Sequence, residues 1–512
     1  MVNPSVIQLY PSDNVAVARK ALLPGQSFPD PQGAFAGALS ITPRDRIPPL
    51  HKVALTRIPS GAPIRRYGQI IGFASTDILE GSHVHSHNVL PGQFAREHAF
   101  GVDARPLPPI PQAEARTFLG YPRPDGRAGT RNYVAVISSV NCSASVSRYI
   151  AERFRNPGFH HDFPDVDGVI AFTHKSGCAM SPDEPTRLLQ RVLAGIARHP
   201  NISGYVLVGL GCEVNQTSSL LRNESLESPA VLNIQPQGGV ARTVEAGVAA
   251  VARLLPAANS LRRVPTPLDR LVLALNCGGS DGASGITANP ALGVASDLLV
   301  RHGGTSVLAE TPEIYGAEHL LTRRAVSADV GQLIVDRIHW WEEHARLHGA
   351  SIDNNPSVGN KEGGLTTIYE KSLGAVAKGG QAPLVAVYQY AEPVTARGLC
   401  FMDTPGYDPV SMTGLVAGGC NLGAFTTGRG SVYGCKPAPS LKIATNTPLY
   451  DWMRDDMDLN AGTILDGTES VESAGRRIFE ALIATANGEH TKSEQAGLGD
   501  EEFAPWILGP VF

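Results

Sequence analysis

No run of about 18 or more apolar residues occurs in this 512-residue chain, so a transmembrane helix is not expected. The stretch from Met1 to Tyr10 lacks a basic segment followed by an apolar run and a cleavage site, so no secretion signal is expected and the cytoplasm is the expected location. Positive charge is also short: 43 Lys and Arg stand against 48 Asp and Glu, for a formal net charge of -5. The pairs Arg65–Arg66, Arg262–Arg263 and Arg323–Arg324 are scattered and make no broad basic field. Nucleic acid is therefore not an expected partner. Charged residues reach only 18%, and 42% of the chain is apolar in strand-length runs without low-complexity tracts. Disorder is thereby excluded as the default. Seven cysteines, an odd number, do not make a disulfide framework.

At this length two to four domains are expected, and three can be read. Residues 1–105 carry short β-type segments (Val53 to Arg57, Gln69 to Ala74, Ser82 to Val89) broken by Pro and Gly, which reads as a small β domain. Residues 106–117 are Pro-dense and read as an extended linker. From Phe118 apolar strands alternate with helix-like segments: Tyr133 to Val140 before Ser143 to Phe154, and Gly168 to Thr173 before Pro185 to Arg198. Such alternation implies βαβ units and a parallel sheet. A Pro-containing break from Pro256 to Pro267 separates an α/β domain at 118–262 from a second at 263–512. Both VISSVNCS (136–143) and VLALNCGGS (272–280) place Asn-Cys after an apolar strand, as a duplicated domain would.

Cys142, Cys178, Cys212 and Cys277 all follow predicted strands, and ligands bind open parallel sheets at the carboxyl ends of the strands. Soft sulfur ligands suit iron or an iron–sulfur cluster, whereas a single free Cys is more often a small apolar residue at a strand end. His83, His85 and His87 alternate, and on an extended strand they would share one face as a metal site. The bland alternative is a solvated edge strand. His174 and Lys175 sit just past a strand end, Glu310 follows a strand, and Glu213 and Asp281 close the two Gly-Cys runs. Arg131, Lys361, Lys371 and Arg429 read as loop residues able to clamp a carboxylate. Each of these charges taken alone is more often a surface residue.

The chain resembles the altronate/galactarate dehydratase family along nearly its full length. The resemblance rests on GYPRPDGRAGTRN (120–132), NCS (141–143), SGC (176–178), GLGCE (209–213), CGGSD (277–281), NPSVGNK (355–361), MDTPGYDP (402–409) and FTTGRG (425–430). The N-terminal part looks like the SAF β-clip module fused in some members, with His85 and His87 on the matching strand and His83 as an extra imidazole. The resemblance implies a hydro-lyase acting on altronate, galactarate or a related sugar acid, with Fe2+ as cofactor; an iron–sulfur cluster or another divalent metal is the alternative, and a homo-oligomer is expected because large α/β enzymes are often symmetric oligomers. A distant sulfolactate-lyase branch usually carries the two modules on separate chains, so their fusion here favours the sugar-acid branch. By the same resemblance, Lys175 or His174, with Glu310, would move protons. Arg131, Asn132, Lys361 and Arg429 would hold substrate, and His85 and His87 with some of Cys142, Cys178, Cys212 and Cys277 would hold metal. A noncatalytic sugar-acid-binding regulator is the rival of another class; it would need a DNA-binding segment with a basic helix, and none is found.

Overall fold

The computed structural model describes residues 5–29, 40–92, 96, 98–227 and 230–509. An antiparallel N-terminal module is followed by two α/β regions built on parallel sheets. One sheet of the module runs Val6–Ile7, Val15–Ala18, Lys52–Ala54, His83–Val84, and another runs Pro63–Arg66, Gln69–Ala74, Val89–Leu90. These strands are short because Pro and Gly interrupt them every few residues. One small core gathers Val6, Ala16, Ile47, Val53 and Leu55. Ile64, Ile71, Val84 and Val89 instead join the core of the C-terminal region, so the module is not packed as a free-standing unit.

The expected strand from Ser82 to Val89 is interrupted. His83–Val84 is followed by a turn that returns as Val89–Leu90. The Asn88 side chain stabilises that turn, accepting from the His85 N–H at 2.9 Å and donating to the His83 carbonyl at 2.9 Å. Simple alternation therefore does not govern where the three imidazoles point.

The Pro-dense segment runs extended to a short turn at Gln112–Glu114, and Thr117 already begins a strand. Thr117–Pro122 pairs antiparallel with both Ala128–Gly129 and Val264–Pro267. A small sheet thus ties the entry of one α/β region to the entry of the other. The expected break at Pro256 is absent, since helix Val240–Ser260 runs through it despite the backbone hydrogen bond that proline cannot donate.

In the second region the parallel order is Gly168–Phe172, Tyr133–Ser138, Ile202–Gly209, Val231–Asn233. Val134 and Val136 face helices Ala144–Glu152 and Val240–Ser260, while Ala135 and Ile137 face helix Glu184–Ala197. Period-two alternation in a strand buried on both faces explains why these segments read as continuous apolar runs. The C-terminal region holds seven parallel strands in the order Leu384–Tyr388, Gly398–Met402, Thr305–Leu308, Val272–Cys277, Leu422–Thr427, Ser440–Ala444, Leu459–Asn460. Helices Ala288–Arg301 and Val471–Ala486 pack on one face, against Leu273 and Leu275. Helix Asp408–Ala417 packs on the other, through Met412 and Leu415.

Candidate active site at the carboxyl edge of the long sheet

Two parallel strands deliver the first residues. Val272–Cys277 ends in a buried thiol, and Thr305–Leu308 leads to Glu310, whose backbone is left-handed at φ 69°. A non-glycine residue held there marks a strained position that its surroundings must enforce. The Glu310 N–H donates to Thr404 Oγ1 at 2.9 Å, and the following turn Thr311–Ile314 brings Glu313 alongside. Lys378 Nζ lies 2.8 Å from Cys277 Sγ and 3.0 Å from Glu310 Oε2. Lys371 Nζ donates to Glu313 Oε1 at 2.7 Å and to Asn355 Oδ1 at 2.8 Å. Lys371 therefore belongs to a buried helix, Ile368–Val376, and not to a loop.

Burial sets the protonation of this cluster. It raises the Glu310 carboxyl well above its ordinary value, with the Glu313 charge adding to the effect and Lys378 only partly opposing it. Glu313 is also penalised by burial, but Lys371 and Lys378 outweigh that and it ends below its ordinary value. Glu310 thus holds a proton beside an ionised Glu313. Burial pushes the Cys277 thiol far up, which keeps it neutral despite Lys378. Asp408, within MDTPGYDP and first in helix Asp408–Ala417, is pushed up to about 7 by burial and by the Glu313 charge. Glu310 Oε1 is buried and has no hydrogen-bond partner.

The loop Gly278 to Asp281 leads out of this cluster. A side chain at Gly278 would collide with the Asp408 carboxylate, so only glycine lets that acid close on the strand end. Gly279 lies against Arg429, whose N–H donates to the Gly279 carbonyl at 2.7 Å. Asp281 is fully engaged: Oδ1 accepts from Ala283 N–H and Ser284 Oγ, and Oδ2 from Thr445 Oγ1 and Asn446 Nδ2. It braces the loop. Asn360 Nδ2 donates to the Ser280 carbonyl at 2.9 Å and so seats the short helix Val358–Glu362 that carries Lys361. Arg429 pairs with Glu362 at 3.4 Å, both side chains exposed.

The N-terminal module closes this edge with imidazoles. His51 Nε2 reaches the Glu362 carbonyl at 3.1 Å, and its Nδ1 lies 3.0 Å from His83 Nε2. Ligand atoms of His51, His83 and His85 lie within 4.8 Å of one another, and the same holds for Cys277, Glu310 and Glu313. Burial lowers His51, and takes His83 to about 4 and His85 to about 3. His85 Nδ1 is buried without a partner. Neutral imidazoles with a free lone pair are the form that binds a cation, and an outer Nε2–H on a carbonyl is the usual support. The His group therefore fits a divalent metal. The Cys–Glu group fits it poorly, because Lys371 and Lys378 already neutralise its charge. His51 escapes sequence reading because it stands outside the 83–87 run and arrives only through the pairing of Lys52–Ala54 with His83–Val84. His87 is exposed, and its ring contacts that of His83 at 5.3 Å.

Other expected residues lie elsewhere. Arg131 is 0% exposed; its guanidinium pairs with Glu494 at 2.7 Å and donates to the carbonyls of Thr130, Thr485 and Glu489. Asn132 donates to the carbonyls of Asp165 and Ala258. Both residues tie chain segments together, with no donor left for a substrate. His174 Nε2 donates to the Ser138 carbonyl at 2.9 Å and Nδ1 accepts from the Ser176 N–H, so both ring nitrogens are occupied. Burial lowers it to about 4. Lys175 is exposed. Cys142, Cys178 and Cys212 are exposed on the second region's sheet, unlike Cys277.

Fold and site together define a three-part α/β enzyme in which buried acids and lysines meet an imidazole cluster from an N-terminal β module. Residues 4–91 match the altronate/galactarate dehydratase SAF domain, 120–259 the second domain of D-galactarate dehydratase/altronate hydrolase, and 268–511 the C-terminal domain of D-galactarate/altronate dehydratase. Altronate dehydratase of Bacillus subtilis (strain 168) is 36% identical, covering 96% of this chain and 97% of its own length. Galactarate dehydratase (L-threo-forming) of Escherichia coli (strain K12) is 37% identical over 97% of this chain and 95% of its own, and altronate dehydratase of the same strain is 34% identical over 96% of each. The chain belongs to the altronate/galactarate dehydratase family, whose named relatives here are hydro-lyases. Among the described residues no helix is long and apolar enough to cross a membrane.

Proposed function

We propose that this protein removes water from a sugar acid, an aldonate or aldarate of the altronate or galactarate kind, to give a 2-keto-3-deoxy acid. The reaction takes a weakly acidic proton from the carbon next to the carboxylate and expels hydroxide from the next carbon; the resulting enol then ketonises. Both steps need proton carriers poised near neutrality.

The observation that carries the reading is the pair Glu310 and Asp408, two carboxyls raised by burial, one of them with an unpartnered oxygen, at the carboxyl edge of a parallel sheet. Asp408, the more accessible of the two, takes the alpha proton in its ionised form. Glu310 keeps its proton at neutral pH and supplies it to the departing hydroxyl. Lys378 and Lys371 hold the negative charge of the cluster in balance. Lys361 and Arg429 flank the glycine loop and bind the substrate carboxylate, Arg429 through its two-pronged guanidinium. His51, His83 and His85 would hold a divalent cation, with Fe2+ the ion the family resemblance implies. When bound, it supplies Lewis-acid stabilisation of the charge that develops on the substrate's oxygens. Lys175 and His174 are given no proton-transfer role in this reading, since one is exposed on another sheet and the other is hydrogen-bonded at both nitrogens.

The test is an anaerobic assay of the iron-loaded protein against a panel of aldonates and aldarates, reading out 2-keto-3-deoxy acid. Product from at least one of them, lost in Glu310→Gln, is expected. No product from any panel member would overturn the reading.

A further inference from the structure

We propose that Cys142, Cys178 and Cys212 form a separate site for an iron–sulfur cluster of the 4Fe–4S type on the second region.

Free cysteine is among the most buried of residues, and Cys277, Cys400 and Cys420 of this chain are buried accordingly. Cys142, Cys178 and Cys212 are exposed. All three follow the carboxyl ends of adjacent parallel strands, with the strand leading to Cys142 between the other two. Chance exposure of surface thiols does not select one edge of one sheet.

The three loops are tied to one another. The Asn141 N–H donates to the Ser176 carbonyl at 2.9 Å, and the Asn215 N–H donates to the Gly177 carbonyl at 3.0 Å. Asn215 Nδ2 donates to the Ser139 carbonyl at 2.8 Å, and His174 Nε2 to the Ser138 carbonyl at 2.9 Å. Glu213, next to Cys212, accepts from Ser139 Oγ at 2.8 Å and from the Gly211 N–H at 2.6 Å. A left-handed glycine directly precedes two of the thiols, Gly177 at φ 101° and Gly211 at φ 127°. A side chain at Gly177 would strike the backbone of Ser139 and Val140, so the Cys178 loop lies directly on the Cys142 loop. Buried polar residues therefore fix loops whose outward products are three sulfurs. Gln235 Nε2 already donates to Cys212 Sγ at 3.3 Å, and hydrogen bonds to sulfur are among the groups that tune such clusters.

The chemistry selects a cluster over a single ion. A structural tetrahedral ion takes four protein ligands, whereas a cluster holds each sulfur on a different iron and can leave its last corner to a small ligand. Two ferrous ions, two ferric ions and four sulfides combine with the three thiols, which lose their protons; the core carries two positive charges and the thiolate-bound unit one negative charge. Lys175, exposed on the same loop as Cys178, lies three residues before it in the chain. Three thiolates serve three corners, so the fourth iron is left for a small oxygen ligand.

The test uses the full chain, purified anaerobically and treated with sulfide and equal amounts of ferrous and ferric iron. Iron, acid-labile sulfide and the visible sulfur-to-iron absorption are then measured, without recourse to activity. About four irons and four sulfides per chain are expected beyond the metal held by the imidazoles. Cys142→Ser, Cys178→Ser and Cys212→Ser should each lose more than half of the sulfide and the visible band. Cys400→Ser, and the double variant His83→Ala/His85→Ala, should keep both. Equal unfolding temperatures for the three exposed-thiol variants and the parent would show that the loss is not unfolding. Iron uptake without sulfide, or sulfide unaffected by the three substitutions, would overturn the proposal.

Discussion

Lys52 of the N-terminal module lies 2.9 Å from Glu370 of the C-terminal region, and neither side chain is exposed. Arg66 adds a second cation at 2.5 Å from the same carboxylate, and Lys52 also donates to the Gly364 carbonyl at 2.6 Å. The two partners feel this burial differently. Lys52 is pushed down to about 8 because burial penalises its charge more than Glu370 attracts it, while Lys52 and Arg66 overcome the burial penalty on Glu370 and take it to about 2. At neutral pH both are charged.

Removing one member should therefore cost more than removing both. Glu370→Gln is expected to lower stability by roughly 3–5 kcal/mol, since it strands two buried cations, and Lys52→Met/Glu370→Met by less than Glu370→Gln. Urea unfolding monitored by circular dichroism measures both. In the parent, the depressed Glu370 value gives stability that is complete above pH 4.5 and lost as pH falls toward 2. A Glu370→Gln variant whose stability fell just as steeply over that range would remove Glu370 as the cause.

The acid pair predicts a bell-shaped activity profile. The rising limb should centre near pH 7, where Asp408 ionises, and the falling limb higher, where Glu310 loses its proton. Glu310→Gln fills the same volume without a titrating proton, so it should abolish the falling limb and reduce kcat by about 100- to 10,000-fold. Asp408→Asn should abolish the rising limb along with most of the rate. A rising limb unchanged in Asp408→Asn would assign the base elsewhere.

Metal retention should follow the imidazole group and not the 83–87 alternation. His85→Ala and His51→Ala are expected to lower iron affinity at least about 10-fold, and His87→Ala to leave it near the parent value. Because His83 and His85 sit near 4 and 3, iron should stay bound well below pH 6.5, where ordinary imidazoles protonate and release it. Elemental analysis after dialysis at graded pH reads this directly.

Arg429 and Arg131 should separate function from packing. Arg429→Met removes an exposed side chain whose pair with Glu362 is also exposed, so unfolding should change little while KM rises by an order of magnitude or more. Arg131→Met leaves Glu494 without its cation and takes one donor each from the carbonyls of Thr130, Thr485 and Glu489. It should lower the unfolding temperature markedly and leave the KM of the folded protein unchanged.

Strands such as Tyr133–Ser138 and Gly168–Phe172 were legible because burial leaves apolar runs, whereas Leu422–Thr427 was not, since Gly and Thr break its run. The 82–89 segment misled because a single Asn88 converts alternation into a turn, and no periodicity records a side-chain hydrogen bond. Glu310 was singled out because it follows a strand. Glu313 and Lys378 were missed because their partnership exists only after a turn and a helix bring them together. Asp408 stood inside the MDTPGYDP motif, yet nothing local marks it as an acid to be raised by burial. Arg131 looked like a substrate clamp for a sound reason, since the same five donors that suit a carboxylate ligand suit Glu494.

Glu370 and Lys371 are neighbours on one helix, yet one carboxylate serves the N-terminal module and the next ammonium serves Glu313. The seam between the modules and the proton-handling acids therefore share a single turn of backbone. A gene cut between these modules would yield halves that must find each other again in order to work, since the larger half would otherwise keep an unanswered negative charge one residue from its chemistry.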